Sequence, residues 1–114
     1  MVKEQNYQII ITSRAEQSYF EVLDYVFEHH TFEQAKKISL ELIDYPQVLK
    51  KFPNLGNIES NLIGRPEKFR FLLYCRTKKT SVKIIYFVDD WNKRVFIIDY
   101  FPCENHEQKI INKR

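Results

Sequence analysis

Residues 69–101 read FRFLLYCRTKKTSVKIIYFVDDWNKRVFIIDYF, and this stretch decides the fold. Three runs rich in β-branched and aromatic residues, Phe69–Arg76, Ser81–Val88 and Arg94–Phe101, are separated by polar segments at Thr77–Thr80 and Asp89–Lys93. That composition belongs to strands. Links this short join only antiparallel neighbours, so the spacing predicts a three-stranded meander.

Working outward, Tyr7–Thr12 (YQIIIT) is short, apolar and β-branched, which predicts a further buried strand. Ser13-x-x-Glu16 has capping-box spacing ahead of a helix over residues 14–30, with Ala15, Tyr19, Val22, Leu23, Val26 and Phe27 along one face. Thr31, with Gln34 three positions on, caps a second helix whose apolar stripe is Phe32, Ala35, Ile38, Leu42 and Ile43. Pro46 ends it near Asp44–Tyr45, and a last turn over Gln47–Phe52 runs into the stop Pro53-Asn-Leu-Gly56. The predicted order is β-α-α-β-β-β. A helical hairpin covers one face of an antiparallel sheet that the first strand joins, giving a single α+β domain over residues 1–114.

Charge is distributed unevenly. Residues 1–60 hold six basic and nine acidic side chains, whereas residues 61–114 hold twelve and six. Arg65, Lys68, Arg70, Arg76, Lys78, Lys79 and Lys83 face a single acid, Glu67, within one segment. A cationic sheet suits an anionic partner, either a phosphate backbone or an acidic protein segment. The alternative is a solvated hairpin whose Lys and Arg guard the strand edges against aggregation.

Other chemistries find little support. Only Gly56 and Gly64 are glycines, too few for a Gly-rich phosphate loop. His29 and His30 are adjacent, so on a helix they diverge by about 100° and cannot share an ion; neither a metal site nor a cofactor is expected. No GxSxG elbow occurs. Cys75 and Cys103 lie in or beside strands and read as small core residues rather than a disulfide. The N-terminus, MVKEQNYQIIITS, has no continuous apolar segment of the signal-peptide kind, and no apolar run approaches the ~20 residues of a membrane span. A cytoplasmic chain is the expectation.

With Tyr7-Gln-Ile-Ile-Ile-Thr-Ser-Arg-Ala-Glu16, Phe52-Pro-Asn-Leu-Gly56, Phe69-Arg-Phe-Leu-Leu-Tyr74, Lys83-Ile-Ile-Tyr-Phe-Val88 and Val95-Phe-Ile-Ile-Asp99 in that order, the chain resembles the RelE/ParE superfamily. These are toxins of bacterial type II toxin–antitoxin modules, among them plasmid stabilisation proteins. The resemblance spans roughly Tyr7 to His106 and implies a cognate antitoxin as partner. It implies one of two targets, DNA gyrase for the ParE type or ribosome-bound mRNA for the RelE type, and leaves the oligomeric state open.

It also nominates residues. Arg70 matches the position where RelE-like toxins put a phosphate-contacting arginine, whose planar fork suits phosphate oxygens. Arg65, Arg76, Lys78, Lys79 and Lys83 join it as candidates for target or nucleic-acid binding. Tyr100 and His106 are candidates for proton transfer, with Glu104 nearby; the alternatives are a strand aromatic packing on the sheet for Tyr100 and a solvated histidine in a polar tail for His106. The terminal text Tyr100-Phe-Pro-Cys-Glu-Asn-His106 departs from the family pattern, because Pro102 bends the chain and Glu104 sets a negative charge where RNA binders carry a positive one. The sequence therefore favours a ParE-like reading, with a ribosome-dependent mRNA endonuclease centred on Arg70 as one alternative and a degenerate, harmless antitoxin-binding protein as another.

Overall fold

The computed structural model describes residues 6–59, 68–75 and 81–103. In chain order these form β1 (Gln8–Ile11), α1 (Ser13–His29), α2 (Phe32–Asp44), a 3₁₀ turn (Tyr45–Lys50), β2 (Asn57–Ile58), β3 (Phe69–Cys75), β4 (Ser81–Asp89) and β5 (Arg94–Pro102). The five strands make one sheet in the order β1-β5-β4-β3-β2. The meander and the helical hairpin are present as expected. Two features differ.

The sheet is mixed. β3, β4 and β5 pair antiparallel, whereas β1 runs parallel to β5, with Ile9 beside Val95. Short links dictate antiparallel pairing only within the meander. No such link joins β1 to β5, which are separated in sequence by both helices and the other three strands, so parallel pairing is open to them. The second difference is β2, two residues that pair with Arg70 and Phe71 on the outer edge of β3.

Thr12, not Ser13, caps α1. Its hydroxyl accepts from the Ala15 amide at 3.2 Å and donates to the Ile97 carbonyl at 2.9 Å, so one side chain fastens both helix start and sheet. Thr31 caps α2 as expected, accepting from the Gln34 amide at 3.2 Å. The core lies between the helices and one sheet face and contains Ala15, Val22, Val26, Ala35, Ile38, Leu42, Leu49, Ile84, Tyr86, Val95, Ile97 and Tyr100. Phe27, Phe32 and Ile43, expected on the inward stripes, are instead exposed. Cys103 is buried but Cys75 is exposed, so only one cysteine is a core residue.

β5 carries a bulge. Opposite Ile85 and Tyr86 of β4 its register jumps from Asp99 to Ile97, leaving Ile98 as the extra residue. Before the bulge, Val95 and Ile97 point into the core; after it, Tyr100 does. One additional residue reverses the alternation so that both halves of the strand bury their large side chains on the same face.

Candidate functional site

Register assigns each candidate to a face. Arg70 sits opposite Tyr86, and Lys83 sits opposite Leu73. Tyr86 is fully buried against the helices, so Arg70 lies on the helix-side face and Lys83 on the other. The two cations therefore do not converge on one ligand.

Arg70 is half-buried and bound to the loop before β2. Its Nη1 donates to the Gly56 carbonyl at 2.8 Å and to the Asn54 carbonyl at 3.3 Å. The Gly56 amide in turn donates to Tyr86 Oη at 2.9 Å. Burial raises the Tyr86 pKa above its ordinary value of 10.0, although the Gly56 amide and the Arg70 charge oppose the shift. Glycine is required at this junction because a Cβ there would stand 2.4 Å from the Phe71 carbonyl oxygen. The guanidinium, the loop and the phenol thus form one clamp that holds β2 against β3.

Lys83 lies across the opposite face. Its Nζ is 4.5 Å from the centroid of the Phe71 ring and 3.0 Å from Glu59 Oε1, a carboxylate only 4% exposed. Beside this pair runs an aromatic row. Phe69 meets Phe87 edge-on at 5.6 Å, and Phe87 stacks on Phe96 at 5.1 Å. Phe69 is buried and Phe87 and Phe96 are part-buried, so the face presents a partly covered aromatic row beside a lysine already paired with a buried carboxylate.

Tyr100 points the other way, into the core. It is 1% exposed, its hydroxyl donates to the Leu42 carbonyl at 3.2 Å, and its ring lies 5.3 Å from that of Tyr19. Burial, with the neighbouring Tyr19 adding to it, pushes the phenol pKa far above 10.0, so the proton stays on at neutral pH. Its position is that of a packing residue, set by the Ile98 bulge. Arg65, Arg76, Lys78, Lys79, Glu104 and His106 lie outside the described residues. Among the described residues, no three His, Cys, Asp or Glu side chains cluster as metal ligands, and no helix is long and apolar enough to cross a membrane.

Two exposed apolar features escaped the sequence reading. Phe20, Phe27, Phe32, Leu40 and Ile43 are exposed on the helices, with Phe27 and Phe32 in contact at 5.9 Å. The available signal was that Phe20 and Leu40 fall off the inward stripes. The other feature is Trp91 at the tip of the β4–β5 turn, 91% exposed. A groove of about 450 Å³ also lies between the end of α2 and β3, lined by Glu41, Asp44, Tyr45, Leu73, Tyr74 and Cys75.

Two helices on a five-stranded mixed sheet define an α+β fold shared with toxins of the RelE/ParE type. The structure of a chromosomal ParDE toxin–antitoxin system from P. aeruginosa superimposes with a TM-score of 0.64 at 18% identity, covering 84% of this chain and 95% of that one. The RelBE2 toxin–antitoxin complex from Mycobacterium tuberculosis superimposes with a TM-score of 0.51 at 13% identity, covering 88% and 94%. No protein-family model matches the sequence. No curated protein matches it either.

Proposed function

We propose that this chain is the toxin of a type II toxin–antitoxin module of the plasmid stabilisation kind. In this reading it arrests growth by acting on DNA gyrase or a comparably essential target, and a cognate antitoxin neutralises it. The observation that carries the reading is the likeness of the whole fold to the ParDE structure, which runs over 95% of that chain. An antitoxin segment that folds on binding needs apolar surface to cover, and Phe20, Phe27, Phe32, Leu40 and Ile43 supply it.

The ParE-like target is favoured over mRNA cleavage by how the nominated residues are engaged. Tyr100 Oη is bonded within the core, and Arg70 Nη1 is bonded to the loop carbonyls of Asn54 and Gly56. Cleavage through a 2′-hydroxyl needs a proton acceptor, a proton donor and cations around one phosphate. Arg70 and Lys83, on opposite faces, cannot flank the same phosphate.

Induced expression of the chain in a bacterial host, with total RNA and plasmid topology followed during growth arrest, tests this. Intact mRNA with altered supercoiling or DNA breaks is the expected result. Codon-positioned mRNA cuts would transfer the assignment to a ribosome-dependent endonuclease. Unimpeded growth at a verified level of soluble protein would leave only a degenerate antitoxin-binding protein.

A further inference from the structure

The β4–β5 turn is a fixed pedestal for one side chain. Asp89 accepts from the Asn92 amide at 3.2 Å and from Asn92 Nδ2 at 2.8 Å, and these bonds hold its carboxyl below the usual aspartate range. Asp90 accepts from Tyr7 Oη at 2.7 Å, which ties the turn to the residue preceding β1. Lys93 adopts a left-handed φ of 56°, and its carbonyl accepts from the Gln8 amide at 2.9 Å. The Lys93 ammonium stands 5.1 Å over the Tyr7 ring. From this braced turn the indole of Trp91 projects into solvent, 91% exposed, and it is the sole tryptophan of the chain.

A left-handed φ at a non-glycine residue is costly and persists only where its surroundings enforce it. Here the bonds fix the backbone of the turn, so that only the two side-chain torsions of Trp91 are left to be ordered by a partner. An aromatic on a braced turn adds no backbone ordering to the cost of binding and only two torsions of its own, which is the circumstance in which a single tryptophan anchors an interface. The charge of the turn selects the kind of partner. Asp89 and Asp90 cancel Lys93 and Arg94, so the tip offers no net attraction to a phosphate backbone. The charged residues that flank the indole in sequence are of mixed sign, as are the polar residues that ring an anchor in a protein pocket. The pocket must be preformed, because an antitoxin segment that orders only on binding brings side chains rather than cavities.

We propose that Trp91 is the anchor of a target-docking turn, inserting into an apolar pocket on a folded protein, with Asp89, Asp90, Lys93 and Arg94 as its rim. The inference rests on the toxin reading and gives it a contact point with the target. That contact lies at the β4–β5 turn, at the other end of β4 from Lys83.

The experiment titrates induced expression of the wild-type chain, Trp91→Ala and Trp91→Phe against growth, with soluble protein quantified and melting curves recorded. Because Trp91 is so exposed, the variants should melt with the wild type. The expected result is that Trp91→Ala needs about 30-fold more protein for the same arrest, the loss of one anchor residue, with Trp91→Phe in between. Equal potency of Trp91→Ala and an active wild type would overturn this inference and leave the toxin reading standing. A harmless wild type would overturn both. Titrating the purified wild type with polyuridylate while following its tryptophan emission separates the partner classes. Strong quenching by the RNA would show base stacking and overturn the protein pocket; unchanged emission is expected.

Discussion

Gly56→Ala tests the clamp that joins β2 to β3. An added Cβ would lie 2.4 Å from the Phe71 carbonyl oxygen, 2.9 Å from its carbon and 2.8 Å from Tyr86 Oη, where ordinary contact begins at 3.4 Å. The nearest atom is backbone, so no rotamer change relieves it, and the strands must part by about 1 Å, an overpacking that costs roughly 1–3 kcal/mol. Parting them stretches the bond from the Gly56 amide to Tyr86 and the bond from Arg70 to the Gly56 carbonyl, each worth about 1–2 kcal/mol. Loss of glycine's freedom in the unfolded chain returns only about 0.4–1 kcal/mol. The net is a destabilisation of about 2–6 kcal/mol, or a fall in Tm of at least roughly 10 °C for a domain of this size. Circular dichroism melts of the two proteins read it directly. Tyr86→Phe is the companion, since it removes the acceptor without adding bulk and should cost about 1–2 kcal/mol through the buried amide left behind. A Gly56→Ala protein melting within roughly 2 °C of wild type would refute the clamp, because strands that tight cannot yield at so small a cost.

The remaining expectations concern Arg70 and the buried phenols. Arg70→Ala removes both guanidinium bonds to the 54–56 loop and should lower stability by about 2 kcal/mol in a urea melt, with Arg70→Lys recovering only part. An unchanged urea midpoint in Arg70→Ala would show that the arginine is available for a phosphate. Tyr19, Tyr86 and Tyr100 have pKa values raised by burial above 10.0, so the folded chain holds protons that the unfolded chain gives up. The stability these groups contribute is therefore complete below pH 10.0 and declines as pH rises through their folded values. Ultraviolet difference titration should show some of the seven tyrosines ionising late, in step with unfolding. Simultaneous titration of all seven with the far-ultraviolet spectrum intact would contradict the packing.

The elements legible in the sequence are those specified by local chemistry. Thr31 and Pro46 bracket α2, and the β-rich runs with their short turns define the meander. Three things were not legible. β2 is two residues long and owes its existence to the approach of Gly56 to Phe71, which is a tertiary event. The face of Arg70 could not be read because FRFLLYC is apolar at both parities: Arg70, Leu72 and Tyr74 share one side, while Phe69, Phe71 and Leu73 share the other. Only the pairing of Arg70 with the buried Tyr86 decides between them. Tyr100 was misleading for a related reason, since the bulge at Ile98 shifts every later residue of β5 by one position. Counting alternation from Val95 sends Tyr100 outward, whereas the sheet turns it inward.

The strand order also has a consequence for how the chain is made. Among the described strands β5 is the last in sequence, yet it occupies the space between β1 and β4, with Gln8 paired to Arg94. A nascent polypeptide lacking the residues near 94–102 has no seat for β1 and no sheet acceptor for the Thr12 hydroxyl, since that acceptor is the Ile97 carbonyl. The helices can form early, but the sheet closes only when its final strand arrives, and contacts spanning most of the sequence are slow to assemble. Translation thus works as a timer, because an unfinished copy cannot present the completed surface.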